Sequence, residues 1–200
     1  MKKIIYLISP NKINDHFYLN LEKVLSFKNV KFFQLRLKNI RLKKLLVIAS
    51  KIKKITTKYK VKFIINDHFI LSNKIKADGC HMGQQDGSLK IARKKLKKKI
   101  MGVTCHYSKR LAISAILNKA DYVAFGSFFK SKLKPKAKKA NLDIIKWAKK
   151  NIKKPIVVIG GINSQNYKRL LTAGANYIAL SSFIWDNPKL KPEQAIKKFK

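Results

Sequence analysis

The feature that most constrains the fold is an alternation of short apolar runs with stretches of helical periodicity. Eight runs have the β-branched, apolar composition of strands that are buried on both faces. They are Ile4–Ser9, Phe32–Leu37, Phe63–Asn66, Gly79–Met82, Ile100–Cys105, Tyr122–Ser127, Ile156–Gly160 and Tyr177–Ser182. Strands that alternate with helices pair in parallel through right-handed crossovers. The count of eight favours a closed barrel over an open doubly wound sheet, so we predict a single (β/α)8 TIM-barrel domain over residues 1–200.

The segments between these runs carry apolar residues at helical spacing. The stretch "RLKKLLVIASKIKKI" predicts a helix with one apolar stripe made of Leu42, Leu45, Leu46, Ala49 and Ile52. A last helix is predicted from Pro192, because proline is favourable in the first turn of a helix. No G-x-G-x-x-G follows the first strand, and the main signature of a dinucleotide-binding sheet is therefore missing.

A weak internal repeat precedes three of the strands. The segments "KADGCHMG", "KADYVAFGS" and "GANYIALSS" each place an Ala-Asp or Ala-Asn step directly before a strand. We interpret Asp78, Asp121 and Asn176 as residues that make turn or cap hydrogen bonds at this joint.

The formal net charge of +38 allows two interpretations. It is consistent with neutralisation of nucleic-acid phosphates, but the lysines spread over nearly every helical segment and aromatic residues do not alternate with them. We favour solvated helix faces, expect no specific nucleic-acid partner, and note that the charge attracts anionic substrates. No apolar run approaches the roughly 20 residues that span a bilayer, so we predict a cytoplasmic protein without a membrane partner.

The functional site of such a barrel lies at the carboxyl ends of its strands. In "FQLRLKN" the residues Gln34, Arg36 and Lys38 alternate, and an extended segment places them on one face. Two cations and an amide on one face are suited to binding a diphosphate.

Two carboxylates follow adjacent strands. Asn66 and Asp67 end the third apolar run, and Asp86 follows the fourth in "GCHMGQQDG". The chain has only nine Asp and Glu residues, which makes this pairing notable. Carboxylates that combine with water and phosphate oxygens are typical Mg²⁺ ligands, and the alternative is a pair of loop caps.

The last two strands predict a phosphate site. Gly160 and Gly161 follow the seventh strand, and Ser181 and Ser182 end the eighth. The loops after strands seven and eight of such barrels frequently bind phosphate at a helix N-terminus. The Lys-rich segment that follows strand six is either a lid over an anionic substrate or a solvated loop.

Two Cys-His pairs end strands four and five. Cys80–His81 and Cys105–His106 have no C-x-x-C or H-x-x-x-H spacing, and neighbours on a strand face opposite sides. We therefore interpret Cys80 and His81 as strand packing rather than as zinc ligands or catalytic groups.

Seven motifs now occur in one order and at characteristic spacings. They are "FQLRLKN", "IINDHF", "GCHMGQQD", "GVTCH", "ADYVAFGSFF", "IVVIGGI" and "AGANYIALSSFI". Together they resemble the thiamine phosphate synthase family of (β/α)8-barrel enzymes over most of the chain. The resemblance implies condensation of hydroxymethylpyrimidine diphosphate with the thiazole phosphate, which gives thiamine phosphate and diphosphate. It also implies a dissociative mechanism in which diphosphate leaves first.

The resemblance further implies roles for individual residues. Asp67 and Asp86 are expected to bind Mg²⁺. Catalytic roles are expected for Arg36, Lys38, Thr104 and Lys134. Residues expected to bind the two substrates are Gln34, Arg36, Lys38, Asn66, Thr104, Ser131, Lys132, Leu133, Lys134, Gly161, Ser181 and Ser182.

The chain departs from the family pattern at several positions. The strand-six loop usually reads Pro-Thr-x-Thr-Lys, whereas here it reads "KSKLK" over residues 130–134. His68 stands where an arginine is common, and Gln85 replaces a usual glutamate.

Two alternative functions stay open. A related barrel, the thiazole tautomerase, has a histidine after the strand-six glycine, where this chain has Ser127 after Gly126. The alternative from another class is a basic RNA-binding protein, which would retain RNA at high salt and form no thiamine phosphate. A homo-oligomer is also possible.

Overall fold

The computed structural model describes residues 4–129 and 139–199. Within these ranges the chain forms eight strands, and each pairs in parallel with the next until β8 closes on β1. The strands are β1 (Ile5–Ile8), β2 (Val30–Leu35), β3 (Lys62–Asn66), β4 (Gly79–Met82), β5 (Ile100–His106), β6 (Tyr122–Phe125), β7 (Ile156–Ile159) and β8 (Tyr177–Leu180). The predicted (β/α)8 barrel is therefore confirmed.

Helices alternate with the strands on the outside of the barrel. They are α1 (Asp15–Leu25), α2 (Leu42–Lys58), α3 (Phe69–Lys74), α4 (Leu89–Leu96), α5 (Lys109–Leu117), α6 (Leu142–Asn151), α7 (Tyr167–Thr172), α8 (Ser182–Trp185) and α9 (Pro192–Ile196). The last helix begins at Pro192, as predicted. In the described part of the chain no helix combines the length and apolarity that crossing a membrane requires.

Side-chain caps determine where several helices begin. Asn14, Ser88 and Ser108 precede α1, α4 and α5, and each side chain accepts a hydrogen bond from a backbone N–H of the first turn. These bonds satisfy amide groups that have no partner inside the helix. The sequence of each connection therefore specifies the residue at which the strand-to-helix loop ends.

The sheet is packed against two hydrophobic cores, one outside the barrel and one inside it. The larger lies between the barrel and the helices, and it contains both cysteines and the apolar faces of the helices. The smaller fills the barrel interior with Tyr6, Ile8, Phe32, Ile64, Tyr122, Ala124, Val157 and Ala179. Both faces of every strand are thus covered, which explains the near-continuous apolar runs in the sequence.

The internal repeat corresponds to a joint at the amino end of the barrel. Asp78, Asp121 and Asn176 each accept a hydrogen bond from a backbone N–H at the first or second residue of the preceding odd-numbered strand. The three distances are 3.0, 2.8 and 2.8 Å for Phe63, Met101 and Ile156 as donors. The side chains do form hydrogen bonds, but the predicted turn or cap role is wrong, because each bond joins the side chain to the backbone of the preceding odd-numbered strand.

Several predicted boundaries are wrong at the carboxyl ends of the strands. Strand β2 ends at Leu35 rather than Leu37, because its last paired residue lies opposite Ile65 and the next amide donates to Ser9 Oγ. Strands β6 and β8 end at Phe125 and Leu180, two residues early. Most residues predicted to continue these strands therefore belong to the loops around the barrel mouth, whereas Ser182 begins helix α8.

The predicted stripe of α2 also needs correction. Leu42 is exposed and Leu46 is only partly buried, whereas Ile48 and Thr56 are buried. The helix continues to Lys58, and its buried face is therefore shifted from the stripe read in the sequence.

Candidate active site

A cavity of about 950 Å³ opens at the carboxyl ends of the strands. Eight of the predicted substrate residues line it, namely Gln34, Arg36, Lys38, Asn66, Thr104, Gly161, Ser181 and Ser182. The predicted residues Ser131, Lys132, Leu133 and Lys134 lie outside the described residues. The cavity is thus polar and cationic beside β2, and residues that follow β7 and β8 line another part of it.

Arg36 and Lys38 reach the cavity from a loop rather than from a strand. Gln34 lies within β2, whereas Arg36 and Lys38 follow its end, and all three predicted clamp residues line the same cavity. Ser9 fixes the start of the loop, since its Oγ accepts from Arg36 N at 3.0 Å and donates to Arg36 O at 3.2 Å. Ser181 Oγ in turn donates to Ser9 O at 3.1 Å. The diphosphate and phosphate sides predicted from the sequence are therefore joined through Ser9.

The side-chain amide nitrogen of Gln34 has no hydrogen-bond partner in the part of the chain that the structure describes. The residue is 2% exposed. A buried amide without a partner is unfavourable. Because Gln34 lines the cavity, its amide is suited to a ligand that supplies an acceptor.

Asp67 and Asp86 are brought together beside the cavity. Asp67 follows β3 with a φ of 66°, and its N–H donates to His81 O at 2.8 Å. Asp86 Oδ2 accepts from Gly83 N at 2.5 Å, which fixes the loop after β4. Burial raises the pKa of Asp67 to about 7, and the hydrogen bond and charge of Asp86 add to this effect. The charges of Lys38 and Arg36 act in the opposite direction on the pKa of Asp67.

The carboxylate pair fits a divalent cation. Two like charges at one site disfavour each other, and a bound cation removes that repulsion. No cluster of three or more His, Cys, Asp or Glu side chains suited to a metal occurs within residues 4–129 and 139–199. The protein thus offers two ligands, which is the number that Mg²⁺ commonly takes from a protein when substrate phosphates and water supply the rest.

Glycines shape the opposite side of the cavity. Gly160 and Gly161 have φ values of 107° and 61°, and a Cβ at Gly160 would overlap Ser127. The close approach of the β6 and β7 loops therefore requires glycine at position 160. Asn166 Nδ2 donates to Gly161 O at 3.0 Å and holds this turn. Ser181 precedes α8, and Ser182 is its first residue.

Within each Cys-His pair the two side chains point to opposite sides of the strand, the cysteine towards the helices and the histidine towards the cavity. Cys80 and Cys105 lie in the core between barrel and helices, which confirms the packing role of Cys80. Burial raises the pKa of Cys105 to about 12. The packing interpretation of His81 is wrong, because this side chain points into the barrel and lines the cavity. His81 is paired with Asn66 of the neighbouring strand, and paired residues point to the same face of a sheet. Because the sequence predicts that Asn66 faces the site, pairing the two strands in this way would have placed His81 there as well.

His81 belongs to a polar chain through the barrel interior. Its Nδ1 lies 2.8 Å from Tyr122 Oη, and its Nε2 lies 2.8 Å from Thr104 Oγ1. Tyr122 Oη also lies 2.7 Å from Tyr6 Oη. Burial lowers the pKa of His81 to about 4, although the charge of Asp86 acts in the opposite direction. The imidazole is therefore neutral at physiological pH.

The closed parallel barrel, with its cavity at the carboxyl ends of the strands, defines a (β/α)8-barrel enzyme. A family model described as thiamine monophosphate synthase matches residues 5–184. The chain therefore belongs to the thiamine monophosphate synthase family and is an enzyme of its transferase type.

Known relatives agree with this assignment. The chain is 54% identical over 200 residues to a thiamine-phosphate synthase of Pelagibacter ubique, which covers 100% of this chain and 97% of the relative. It is 39% identical to a thiamine-phosphate synthase of Erythrobacter litoralis, with 96% and 92% of the two chains covered. The fold is similar to that of thiamine phosphate pyrophosphorylase from Pyrococcus furiosus, with a TM-score of 0.87 and 24% sequence identity. The superposition covers 98% of this chain and 93% of the other.

Proposed function

We propose that the cavity joins hydroxymethylpyrimidine diphosphate to the thiazole phosphate by a dissociative mechanism. The bond between the pyrimidine methylene carbon and the diphosphate oxygen breaks first, and diphosphate leaves with the electron pair. The thiazole nitrogen then attacks the resulting carbocation, and the new C–N bond gives thiamine phosphate. Atoms and charge balance without an oxidant or a general acid–base pair.

One observation carries this proposal. Arg36 and Lys38 act electrostatically on the same carboxylate, Asp67, that shares a hydrogen bond with Asp86. A diphosphate complexed with a divalent cation is complementary to both groups, because its oxygens attract the cations and its metal attracts the carboxylates. An anion without a metal would interact favourably only with Arg36 and Lys38, and a cation alone would interact favourably only with Asp67 and Asp86.

The residues around the cavity divide between the two substrates. Gln34 offers its unpartnered amide, and Arg36 and Lys38 neutralise the charge that develops as diphosphate departs. Asn66 and Thr104 line the same side and are assigned to the pyrimidine diphosphate. Gly161, Ser181 and Ser182 are assigned to the thiazole phosphate on the opposite side.

Asp67 and Asp86 are assigned to Mg²⁺, which when bound neutralises diphosphate charge and makes it a better leaving group. The roles proposed for Lys134 and for residues 131–133 follow the family pattern alone. We further propose that residues 1–200 form one domain that works in the cytoplasm, and that it can form a homo-oligomer.

The purified protein should be incubated with both substrates, with and without Mg²⁺, and the products analysed by mass spectrometry. The expected result is thiamine phosphate together with inorganic diphosphate, formed only when both substrates and Mg²⁺ are present. Full activity in the presence of a chelator would contradict the metal assignment, and absence of thiamine phosphate would contradict the reaction.

A further inference from the structure

Four side chains form a continuous hydrogen-bonded chain from the barrel floor to the cavity. In order they are Tyr6, Tyr122, His81 and Thr104, and the three contacts measure 2.7, 2.8 and 2.8 Å. Gly102 makes room for this chain, because a Cβ at that position would overlap the ring of Tyr122. Only Thr104 and His81 of these four line the cavity.

The number of hydrogens determines how this chain is oriented. The three hydroxyl groups and a neutral imidazole carry one polar hydrogen each, which makes four. An imidazolium would donate from both ring nitrogens, to Tyr122 and to Thr104, and would leave one buried tyrosine hydrogen without a contact. Each of the three contacts uses one hydrogen. One hydrogen is therefore left over, and it lies on Tyr6, on Thr104, or on Tyr122 if that hydroxyl accepts at both of its contacts.

Within the described residues neither Tyr6 nor Tyr122 has an acceptor for that hydrogen. Tyr122 Oη contacts Tyr6 Oη and His81 Nδ1 and no other polar atom there, and Tyr122 is 2% exposed. Within the described residues Tyr122 is the only hydrogen-bond partner of Tyr6 Oη. Tyr6 is 2% exposed, and its ring packs against Phe32 with 5.2 Å between ring centroids. A buried hydroxyl hydrogen without an acceptor is unfavourable, whereas the same hydrogen on Thr104 points to a cavity that water or a ligand can enter.

We propose that His81 is held as the Nε2–H tautomer and donates to Thr104 Oγ1, which leaves the Thr104 hydroxyl as a hydrogen-bond donor to the ligand. In this arrangement Tyr6 donates to Tyr122, and Tyr122 donates to His81 Nδ1. Tyr6, Tyr122 and His81 are positioning residues that act through Thr104. The ligand atom at Thr104 is consequently an acceptor, either a diphosphate oxygen or a pyrimidine ring nitrogen, and this last step rests on the proposed function.

The tautomer can be measured without any ligand. Protein labelled with ¹⁵N-histidine contains four imidazoles, and the His81 signals are assigned by their loss in His81→Gln. Long-range ¹H–¹⁵N correlation spectra at neutral pH should show the Nε2–H pattern for His81. A predominant Nδ1–H pattern would overturn the proposal, whatever reaction the protein catalyses.

Two matched variants test how the tautomer is selected. Tyr122→Phe and Tyr6→Phe each remove one buried hydroxyl from the barrel interior. Tyr122→Phe takes away the donor to His81 Nδ1, so a mixture of tautomers is expected. Tyr6→Phe leaves that donor in place and should keep the Nε2–H form. An unchanged spectrum of folded Tyr122→Phe would refute the positioning role of Tyr122.

Binding measurements identify the acceptor. Calorimetric titrations use inorganic diphosphate with Mg²⁺ and, separately, unphosphorylated hydroxymethylpyrimidine, with wild-type protein, Thr104→Ser and Thr104→Val. Loss of the hydroxyl in Thr104→Val should weaken one of these ligands by about tenfold, while Thr104→Ser retains affinity. Weakened diphosphate identifies a phosphate oxygen, and weakened hydroxymethylpyrimidine identifies a ring nitrogen. Wild-type affinity of Thr104→Val for both ligands would refute the donor role of Thr104.

Discussion

The carboxylates of Asp67 and Asp86 share a hydrogen bond at the barrel mouth, where they follow the adjacent strands β3 and β4. Because this pair and the burial of Asp67 raise the pKa of Asp67 to about 7, the folded protein holds a proton there that the unfolded chain releases near its ordinary pKa of about 4. Stability of the metal-free protein should therefore fall as the pH rises from about 4 to about 7.

Asp67→Asn should remove this pH-dependent cost. Asparagine tolerates the positive φ of position 67, which makes it a better substitution than alanine. At pH 8 the metal-free variant should be more stable than wild type by about 1 kcal/mol, after allowance for solvent screening, which corresponds to roughly 2–4 °C in Tm. Thermal unfolding with and without Mg²⁺ checks this. Wild type should gain stability from Mg²⁺ and Asp67→Asn should not, and equal gains in both would contradict the shared metal site.

The contact of Ser9 with Arg36 predicts that substitution of Ser9, an uncharged residue, weakens binding of the pyrimidine diphosphate. Ser9→Ala removes the acceptor for Arg36 N and loosens the loop that carries Arg36 and Lys38. We expect KM for the pyrimidine diphosphate to rise by about tenfold, the effect of leaving one buried amide unsatisfied. Steady-state kinetics with each substrate varied in turn measures this.

A suitable control is Ser26→Ala, since that exposed hydroxyl donates only to Lys23 O at the end of α1. Arg36→Ala should raise KM for the pyrimidine diphosphate more strongly than Ser9→Ala, and both should affect the thiazole phosphate less. Equal losses for the two substrates would argue against assigning Arg36 to the diphosphate.

Local sequence signals are sufficient to predict the barrel and its order of strands. Each strand is buried on both faces, so the runs from Ile5, Lys62 or Ile156 are apolar enough to be recognised singly. The ends of the strands are less predictable. The alternation in "FQLRLKN" continues past Leu35, but the pairing with β3 stops there. The next amide, Arg36 N, donates to Ser9 Oγ, a residue from another segment of the chain.

The candidate site is predictable where charge is unusual and unpredictable where it is formed by contacts across strands. Asp67 and Asp86 stand out in a basic sequence, and their proximity follows from adjacent strands. The link from His81 to Tyr122 joins residues 41 positions apart. An inward tyrosine or histidine has the same local pattern whether it packs or hydrogen-bonds, so periodicity alone cannot reveal this link.

The hydrogen bonds of Asp121 predict that substitutions at this position lower the stability of the protein without changing its substrate affinity. Asp121 Oδ2 accepts from Met101 N at 2.8 Å and from Arg93 Nη2 at 2.7 Å, at the barrel end opposite the cavity. Asp121→Ala leaves the amide and the guanidinium without this acceptor, and the free energy of unfolding should fall by about 2–3 kcal/mol. Asp121→Asn retains an acceptor for Met101 N, as Asn176 does for Ile156, and should cost about 1 kcal/mol. Urea unfolding measures both losses, and KM should stay at the wild-type value below the transition. If the two variants lost the same stability, the backbone hydrogen bond would not be the main contribution of this side chain.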